Sequence, residues 1–250
     1  MFPSPSERAQ RRAGGAPEAL PTLAWAEVPK MSAAQARHLT TLATGRYGFE
    51  LQTLMERAGE SLAGLAAHLA PDGPVLVVAG RGHNGGVGLA AAHCLARARR
   101  AVWVVPTHEA ENYSGVPKEL LERLAELPNV RLRSSLPKMK FSCALDAAVG
   151  MRLEGPPRGR TLDVITVLNN LGCKVLSLDV PTGLAADSGE VPGDVVRASA
   201  TLALALPKPG TPPGGVVGDL YLASFDLPEA LFHDVGLEPF VAPSPWARIV

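Results

Sequence analysis

The sequence predicts a protein of the α/β class, in which helices cover both faces of a mostly parallel central sheet. Short, continuous apolar runs alternate along the chain with longer segments whose apolar residues recur every three or four positions. The apolar runs end at glycine, proline or polar residues, which is typical of strands that are buried on both faces. One run leads directly into a glycine-rich segment, 80–86, that opens a helix.

The predicted elements follow one another from residue 31 onward. Ser32 can cap a first helix, and apolar residues at helical spacing predict a second helix across 51–65. Strands are predicted at 74–79, 101–105, 130–132, 141–147, 174–179, 200–206 and 220–224, and further helices at 89–98, 117–127 and 162–171. Strands that are joined by helices pair in parallel, so we expect a three-layer, Rossmann-like fold with about seven or eight strands.

The first 28 residues differ in composition from the rest. They are rich in proline, alanine, glycine and arginine and have no apolar periodicity, so we predict that 1–28 is a flexible N-terminal extension. Residues 29–250 contain no repeat and no internal linker and are predicted to form one domain. The tail, 232–250, is apolar and contains proline, and it could pack on this domain or on a neighbouring subunit.

The composition favours a small-molecule partner. Lys plus Arg equals Asp plus Glu at 24 each, so there is no positive charge excess of the kind that binds nucleic acid. No apolar run approaches the roughly 18 to 20 residues that span a bilayer, and no secretory signal is recognisable. Three distant cysteines, Cys94, Cys143 and Cys173, indicate buried thiols in a reducing compartment. We therefore expect a cytoplasmic protein.

The glycine-rich segment predicts a phosphate site. Gly80, Gly82 and Gly85 have the G-x-G-x-x-G spacing after a strand, where main-chain N–H groups and the helix dipole favour a phosphate. The alternative is that these glycines only allow a tight strand-to-helix turn. The acidic residue that holds a ribose in dinucleotide-dependent dehydrogenases is absent, since 106–108 reads Pro-Thr-His. An ordinary dehydrogenase therefore fits poorly.

Two carboxylates follow other predicted strands. Asp146 and Asp179 lie at the carboxyl ends of parallel strands, where ligands bind in open α/β sheets, so we expect them near the glycine-rich segment. The alternative is that each caps the next helix or turn. After Asp179, Pro181 fixes the backbone and Gly183 permits a positive φ, which would hold the Thr182 hydroxyl in a set direction.

Five segments in this order resemble the YjeF N-terminal type of protein, best known as NAD(P)H-hydrate epimerases. They are 54–59, 80–89, 146–150, 177–183 and 206–208. The resemblance covers 31–227 and implies the Rossmann-like fold and a homodimer. It also implies a repair reaction, in which the R and S forms of hydrated NADH or NADPH are interconverted at C6 of the nicotinamide ring. A separate, S-specific dehydratase that depends on ADP or ATP then restores the cofactor.

The resemblance also implies a role for individual residues. Asn84, Asp146 and Thr182 would supply oxygen atoms to a potassium ion, a hard cation, with Thr182 in place of the family's serine. Asp179 would face the hydrated ring as the acid or base. Lys208 could supply charge to the substrate phosphates, or it could be an exposed loop lysine. The residues expected to bind substrate are Gly82, His83, Asn84, Gly85, Gly86, Val87, Gly150, Met151, Arg152 and Lys208.

Three positions depart from the family pattern. His83 replaces an asparagine, Val87 replaces an acidic residue and Arg152 replaces a glycine. Val87 cannot accept a hydrogen bond, so the contact that the family's acidic residue makes is either absent here or met by another group. His83 could be that group, or it could be only an exposed loop imidazole. Arg152 could bind phosphate or block the pocket. The departures leave a second hypothesis open, a catalytically degenerate YjeF-type domain that binds a nucleotide-like ligand or a protein partner.

Overall fold

A computed structural model of the chain describes residues 20–136, 139–151, 155–243 and 245–250. The described strands form one sheet of nine: β1 (Thr22–Leu23), β2 (Val75–Ala79), β3 (Val102–Pro106), β4 (Val130–Leu132), β5 (Cys143–Ala147), β6 (Lys174–Leu178), β7 (Ala200–Ala203), β8 (Asp219–Ala223) and β9 (Trp246–Ile249). The described α-helices are α1 (Ala33–Gly45), α2 (Leu51–Leu69), α3 (His83–Arg97), α4 (Gly115–Ala125), α5 (Arg160–Asn169) and α6 (Glu229–Asp234).

The strand order is β1-β9-β8-β7-β6-β5-β2-β3-β4. All neighbouring strands are parallel except β8 and β9, so the sheet is mostly parallel, as predicted. The six strands from β4 to β7 have the order of a dinucleotide-binding sheet. The chain reverses its direction of travel across the sheet between β2 and β5. Loops diverge on either side of this switch point, which places a crevice at the carboxyl ends of these two strands.

Side chains of the central strands alternate between two apolar layers. In β2, Val75, Val77 and Ala79 pack in the cluster that contains α2, α3 and α4, while Leu76 and Val78 pack against α5 on the other face. Helices α1 and α6 cover that second face further along, over β7 and β8. Every residue of β2 and β5 is buried. The three-layer arrangement is therefore confirmed, and its central strands are rigid supports for the loops that follow them.

The sheet has nine strands, more than the seven or eight predicted, and the two additional strands lie near the chain ends. Thr22 and Leu23 form β1 and pair with β9, whose residues come from the tail. Val28 is also buried, so residues 20–28 belong to the domain and the boundary predicted after residue 28 lies too late. Two residues cannot show a periodicity, and pairing with a distant strand orders them. The rest of the predicted extension, 1–19, lies outside the described residues.

The tail packs on its own domain. Residues Trp246–Ile249 form β9, which pairs antiparallel with β8. Phe232, which belongs to α6, is buried in the apolar cluster that α1 and α6 form with β7 and β8. The sequence left open whether this segment packs on its own domain or on a neighbouring subunit. The edge of β8 and the apolar face beside it accept the tail within the same chain.

Candidate functional site

A cavity of about 810 Å³ lies at the carboxyl ends of β2, β5 and β6. This volume is within the roughly 300 to 1,000 Å³ that is usual for small-molecule sites. Its polar lining includes Arg37, Arg81, His83, Asn84, His108, Asp179 and Lys208, and its apolar lining includes Leu39, Leu54, Met55, Val87, Met151 and Phe225. Helix α1 forms one wall, which sequence reasoning missed because nothing in the sequence indicates where α1 docks.

Helix α3 begins at His83, six residues before the predicted start at residue 89, so most of the glycine-rich segment is helical. A Cβ atom on Gly85 would lie 1.7 Å from the main-chain oxygen of Gly80, and one on Gly86 would lie 2.6 Å from Sδ of Met55. Glycine is a poor helix former, which is why the sequence suggested a turn. Close packing against the main chain requires glycine at Gly85, whereas at Gly86 the nearest atom belongs to the flexible side chain of Met55, and neither residue is among those lining the cavity.

The first turn of α3 has polar groups without partners. The main-chain N–H groups of Asn84 and Gly85 meet no acceptor among the described residues, as is usual at a helix start. The side-chain Nδ2 of Asn84 is buried and also lacks a hydrogen-bond partner there. Gly150 allows this side chain to fit, because a Cβ at Gly150 would lie 3.1 Å from Oδ1 of Asn84. A bound polar or anionic ligand would satisfy these groups.

Asp146 lies beneath the cavity and is completely buried. Its Oδ2 accepts hydrogen bonds from Oγ of Ser177 at 2.8 Å and from the main-chain N–H of Thr182 at 2.9 Å. Its Oδ1 accepts one from Oγ1 of Thr182 at 2.7 Å. Burial raises the pKa of Asp146, and these hydrogen bonds partly oppose the shift. Asp146 therefore holds the turn after β6. Ser177 was not predicted as a site residue, although a polar residue inside a buried strand is a signal that could have identified it.

Asp179 and Lys208 form a buried ion pair. The Lys208 Nζ lies 2.6 Å from Oδ1 of Asp179 and also donates to the main-chain oxygen of Leu206 at 3.1 Å. Oδ1 accepts a further bond from the main-chain N–H of Leu204 at 3.3 Å. Lys208 is 1% exposed, so the alternative of an exposed loop lysine is wrong. Oδ2 of Asp179 accepts no hydrogen bond within the described residues, and Asp179 lines the cavity.

The backbone at Asp179 adopts φ = +62°, in the left-handed region that few residues other than glycine, asparagine and aspartate occupy. Its main-chain N–H donates to the oxygen of Leu202 at 2.8 Å, which fixes this conformation against β7. Non-glycine residues in that region concentrate at functional sites, where surrounding contacts offset the strain. The position of the carboxylate is therefore determined by the backbone as well as by Lys208.

The predicted site residues separate into two layers. Around the cavity lie Gly82, His83, Asn84, Val87, Gly150, Met151, Asp179 and Lys208. Beneath it lie Gly85, Gly86, Asp146 and Thr182, whose side chains or Cα atoms are buried in packing. Val87 is 6% exposed and belongs to the core cluster of α2 to α4, whereas His83 is exposed. Arg152 lies outside the described residues.

The strand order and the cavity at the switch point, with charged side chains among its apolar lining, define a Rossmann-like α/β protein with a candidate small-molecule site. No helix in the described part of the chain has the length and apolar character to cross a membrane. Residues 51–210 match the family described as YjeF-related protein N-terminus, and the chain belongs to this family.

Three curated relatives illustrate the family. The chain is 36% identical over 212 residues to the NAD(P)H-hydrate epimerase of Dehalogenimonas lykanthroporepellens, covering 83% of this chain and 86% of that protein. It is 29% identical over 218 residues to the NAD(P)H-hydrate epimerase of Rhodopirellula baltica, covering 83% and 88%. It is 33% identical to the bifunctional NAD(P)H-hydrate repair enzyme Nnr of Thermofilum pendens, covering 78% of this chain and 40% of that protein.

A solved structure shares the fold. The crystal structure of the yeast protein ynu0 superposes with a TM-score of 0.77 at 25% sequence identity, covering 88% of this chain and 100% of that chain. The agreement supports the fold described above.

Proposed function

We propose that this chain is an NAD(P)H-hydrate epimerase, an isomerase that interconverts the R and S forms of hydrated NADH or NADPH at C6 of the nicotinamide ring. The observation that carries the proposal is Asp179, whose Oδ1 is fixed by a buried lysine while its Oδ2 accepts no hydrogen bond in the described structure. The relatives named as epimerases, matched over more than four fifths of their length, support the same reaction.

The chemistry at C6 needs a group that both gives and takes a proton. This carbon carries the ring nitrogen and a hydroxyl, so the nitrogen lone pair can expel the hydroxyl once its oxygen receives a proton. Water that adds to the opposite face and gives up a proton inverts the centre. Oδ2 of Asp179 is the oxygen available for both transfers, and its carboxylate would stabilise the cationic ring between them. Lys208 positions the carboxylate.

The start of α3 is suited to the substrate phosphates. Gly82 caps the helix and lines the cavity, the N–H groups of Asn84 and Gly85 need acceptors, and Arg81 adds an exposed positive charge at the cavity edge. Phosphate held here would place the nicotinamide end of the substrate on the β5 and β6 side of the crevice, where Asp179 lies. Contacts of His83, Met151 and Lys208 with substrate stay predictions.

Oxygen donors in the cavity wall and beneath it fit a potassium ion. Asn84, Asp146 and Thr182 would hold it, because they bring together an amide, a carboxylate and a hydroxyl, and Oγ1 of Thr182 also contacts the main-chain oxygen of Val149 at 2.9 Å. A positive charge beside Asp146 would offset the burial that raises its pKa, and Asn84 would contribute its amide oxygen Oδ1. The ion would supply a fixed positive charge beneath the substrate.

Potassium is expected to raise the melting temperature of the protein, measured by calorimetry in potassium against choline chloride at equal ionic strength, because a ligand that binds only the folded state stabilises it. Thr182→Val removes one oxygen donor and should abolish the rise. Thr201→Val is the matched control, since this hydroxyl is equally buried but donates to Val217 at 2.7 Å away from the site. An equal rise in Thr182→Val would contradict the assignment.

Turnover tests the proposed reaction directly. Purified protein is mixed with an R and S mixture of hydrated NADH, an S-specific dehydratase and ATP, and the reduced cofactor is followed by its absorbance. Full conversion of both forms is expected, at a rate above that without the protein. Consumption of the S half alone would show that the chain is not an epimerase.

A second candidate is a catalytically degenerate domain that binds a nucleotide-like ligand. It is favoured by Val87, an apolar residue in the cavity wall where the family pattern has an acidic one. Binding of an adenine nucleotide without turnover would support it. A homodimer, a cytoplasmic location and a separate ADP- or ATP-dependent dehydratase stay predictions that follow from the family resemblance and the composition.

A further inference from the structure

A second cavity, of about 800 Å³, lies on the other side of the switch point, over the carboxyl ends of β3 and β4. Thr107 and His108 follow β3 and form one wall, and Arg133 and Ser134 follow β4 and form another. His108 also lines the cavity that contains Asp179, so the two cavities meet at this residue. A ligand that extends past His108 would contact both cavities.

The second cavity contains two arginines that have no carboxylate partner among the described residues. Nη2 of Arg160 donates to the main-chain oxygen of Ser134 at 2.7 Å, and Nη1 of Arg133 donates to that of Leu132 at 3.0 Å. Neither makes a salt bridge with the described residues, and a guanidinium has five N–H donors, so most donors on each are available. Arg160 is bonded to Ser134, the residue that follows Arg133 in the chain. Two guanidinium groups placed in this way suit a phosphate.

The positive charge extends to the point where the cavities meet. Burial and the charges of Arg81 and Arg160 lower the pKa of His108, which places both guanidiniums within electrostatic range of this imidazole. The acidic residues of the cavity are exposed, and one of them, Glu122, pairs with Lys118 at 3.9 Å. The other two are Glu109 and Glu111, and none of the three carboxylates forms a salt bridge with Arg133 or Arg160.

The two residues directly after β3, Thr107 and His108, are not acidic; the first carboxylate after the strand belongs to Glu109, which is exposed and also lines the second cavity. The main-chain N–H of Thr107 donates to the oxygen of Ala79 at 2.9 Å, so Thr107 and His108 lie level with the start of the glycine-rich segment. In sheets with this strand order, a carboxylate here binds the ribose 2′-hydroxyl of NAD, whereas an arginine nearby accommodates the 2′-phosphate of NADP. The hydroxyl of Thr107, the imidazole of His108 and two arginines that form no salt bridge with the described residues correspond to the second case, with Glu109 as the nearest carboxylate along the chain.

We propose that the second cavity holds the adenosine end of the dinucleotide and that Arg133 and Arg160 bind the phosphate on its ribose 2′ position. The chain then prefers hydrated NADPH to hydrated NADH. This inference rests on the proposed function, since it assumes that the nicotinamide end of the same molecule lies beside Asp179.

Calorimetric titration with 2′-phospho-ADP-ribose and with ADP-ribose tests the inference without turnover, because neither probe has a nicotinamide ring. The native chain is expected to bind the 2′-phosphorylated probe about tenfold or more tightly. Arg133→Gln combined with Arg160→Gln should reduce this ratio to about twofold or less while leaving the affinity for ADP-ribose nearly unchanged. Arg131→Gln is the matched control, because Arg131 is also exposed but lies on β4, outside the cavity.

Equal affinity for the two probes in the native chain, or an unchanged ratio in the double variant, would overturn the proposal. The outcome is independent of the turnover experiment. If the chain shows no epimerase activity but still binds the 2′-phosphorylated probe more tightly, the adenosine site is supported and only the proposed reaction is contradicted. If the chain turns over both hydrates but binds both probes with equal affinity, the proposed reaction is supported and the proposed phosphate site is contradicted.

Discussion

Asp179→Asn is expected to lower the epimerisation rate by about 10²- to 10⁴-fold, the range usual for removal of an acid or base that transfers protons. Asparagine also adopts the left-handed region, so the backbone at φ = +62° is retained. Its amide can neither give nor take a proton at the pH of the assay. The measurement is the rate of R-form conversion in the presence of excess dehydratase.

The same substitution should also destabilise the protein, because it leaves the ammonium group of Lys208 buried without its counter-ion. Breaking a buried ion pair costs about 3 to 5 kcal/mol. The double variant Asp179→Asn with Lys208→Met removes both charges at similar volume and should recover most of the free energy of unfolding, but none of the activity. Activity that returns with stability would show that Asp179 acts only through the fold.

Gly85→Ala is expected to lower the free energy of unfolding by more than about 3 kcal/mol or to prevent folding. The added Cβ would lie 1.7 Å from the main-chain oxygen of Gly80, and no side-chain rotation can relieve a clash with backbone. The helix start would have to move away from β2. Urea denaturation followed by circular dichroism measures the change.

Gly82→Ala is the control for this prediction in the same segment. A Cβ there meets nothing within 4 Å, and φ = −93° with ψ = −169° is extended backbone that any residue adopts. Its free energy of unfolding should therefore change by less than about 1 kcal/mol. Similar losses in both variants would mean that the clash at Gly85 is relieved by local movement and that close packing does not explain this glycine.

Much of the fold was predictable because it depends on local pattern. The buried strands β2 and β5 are continuous apolar runs, and α2 shows apolar residues at helical spacing, so their type and order follow from the sequence. The short strands β1 and β9 were missed because each is ordered by its neighbour in the sheet. The start of α3 was placed too late because glycine has a low intrinsic helix propensity, which tertiary packing overrode.

By itself, the sequence determined that Asp146, Asp179 and the glycine-rich segment meet at one edge of a parallel sheet, because residues at the carboxyl ends of parallel strands share that edge. Only the tertiary structure decided how deep each residue lies and what it contacts. Lys208 is 29 residues beyond Asp179, and its pairing with that carboxylate depends on how the 206–208 loop folds back over β6. Contacts between residues far apart in the chain depend on packing, which no local periodicity encodes.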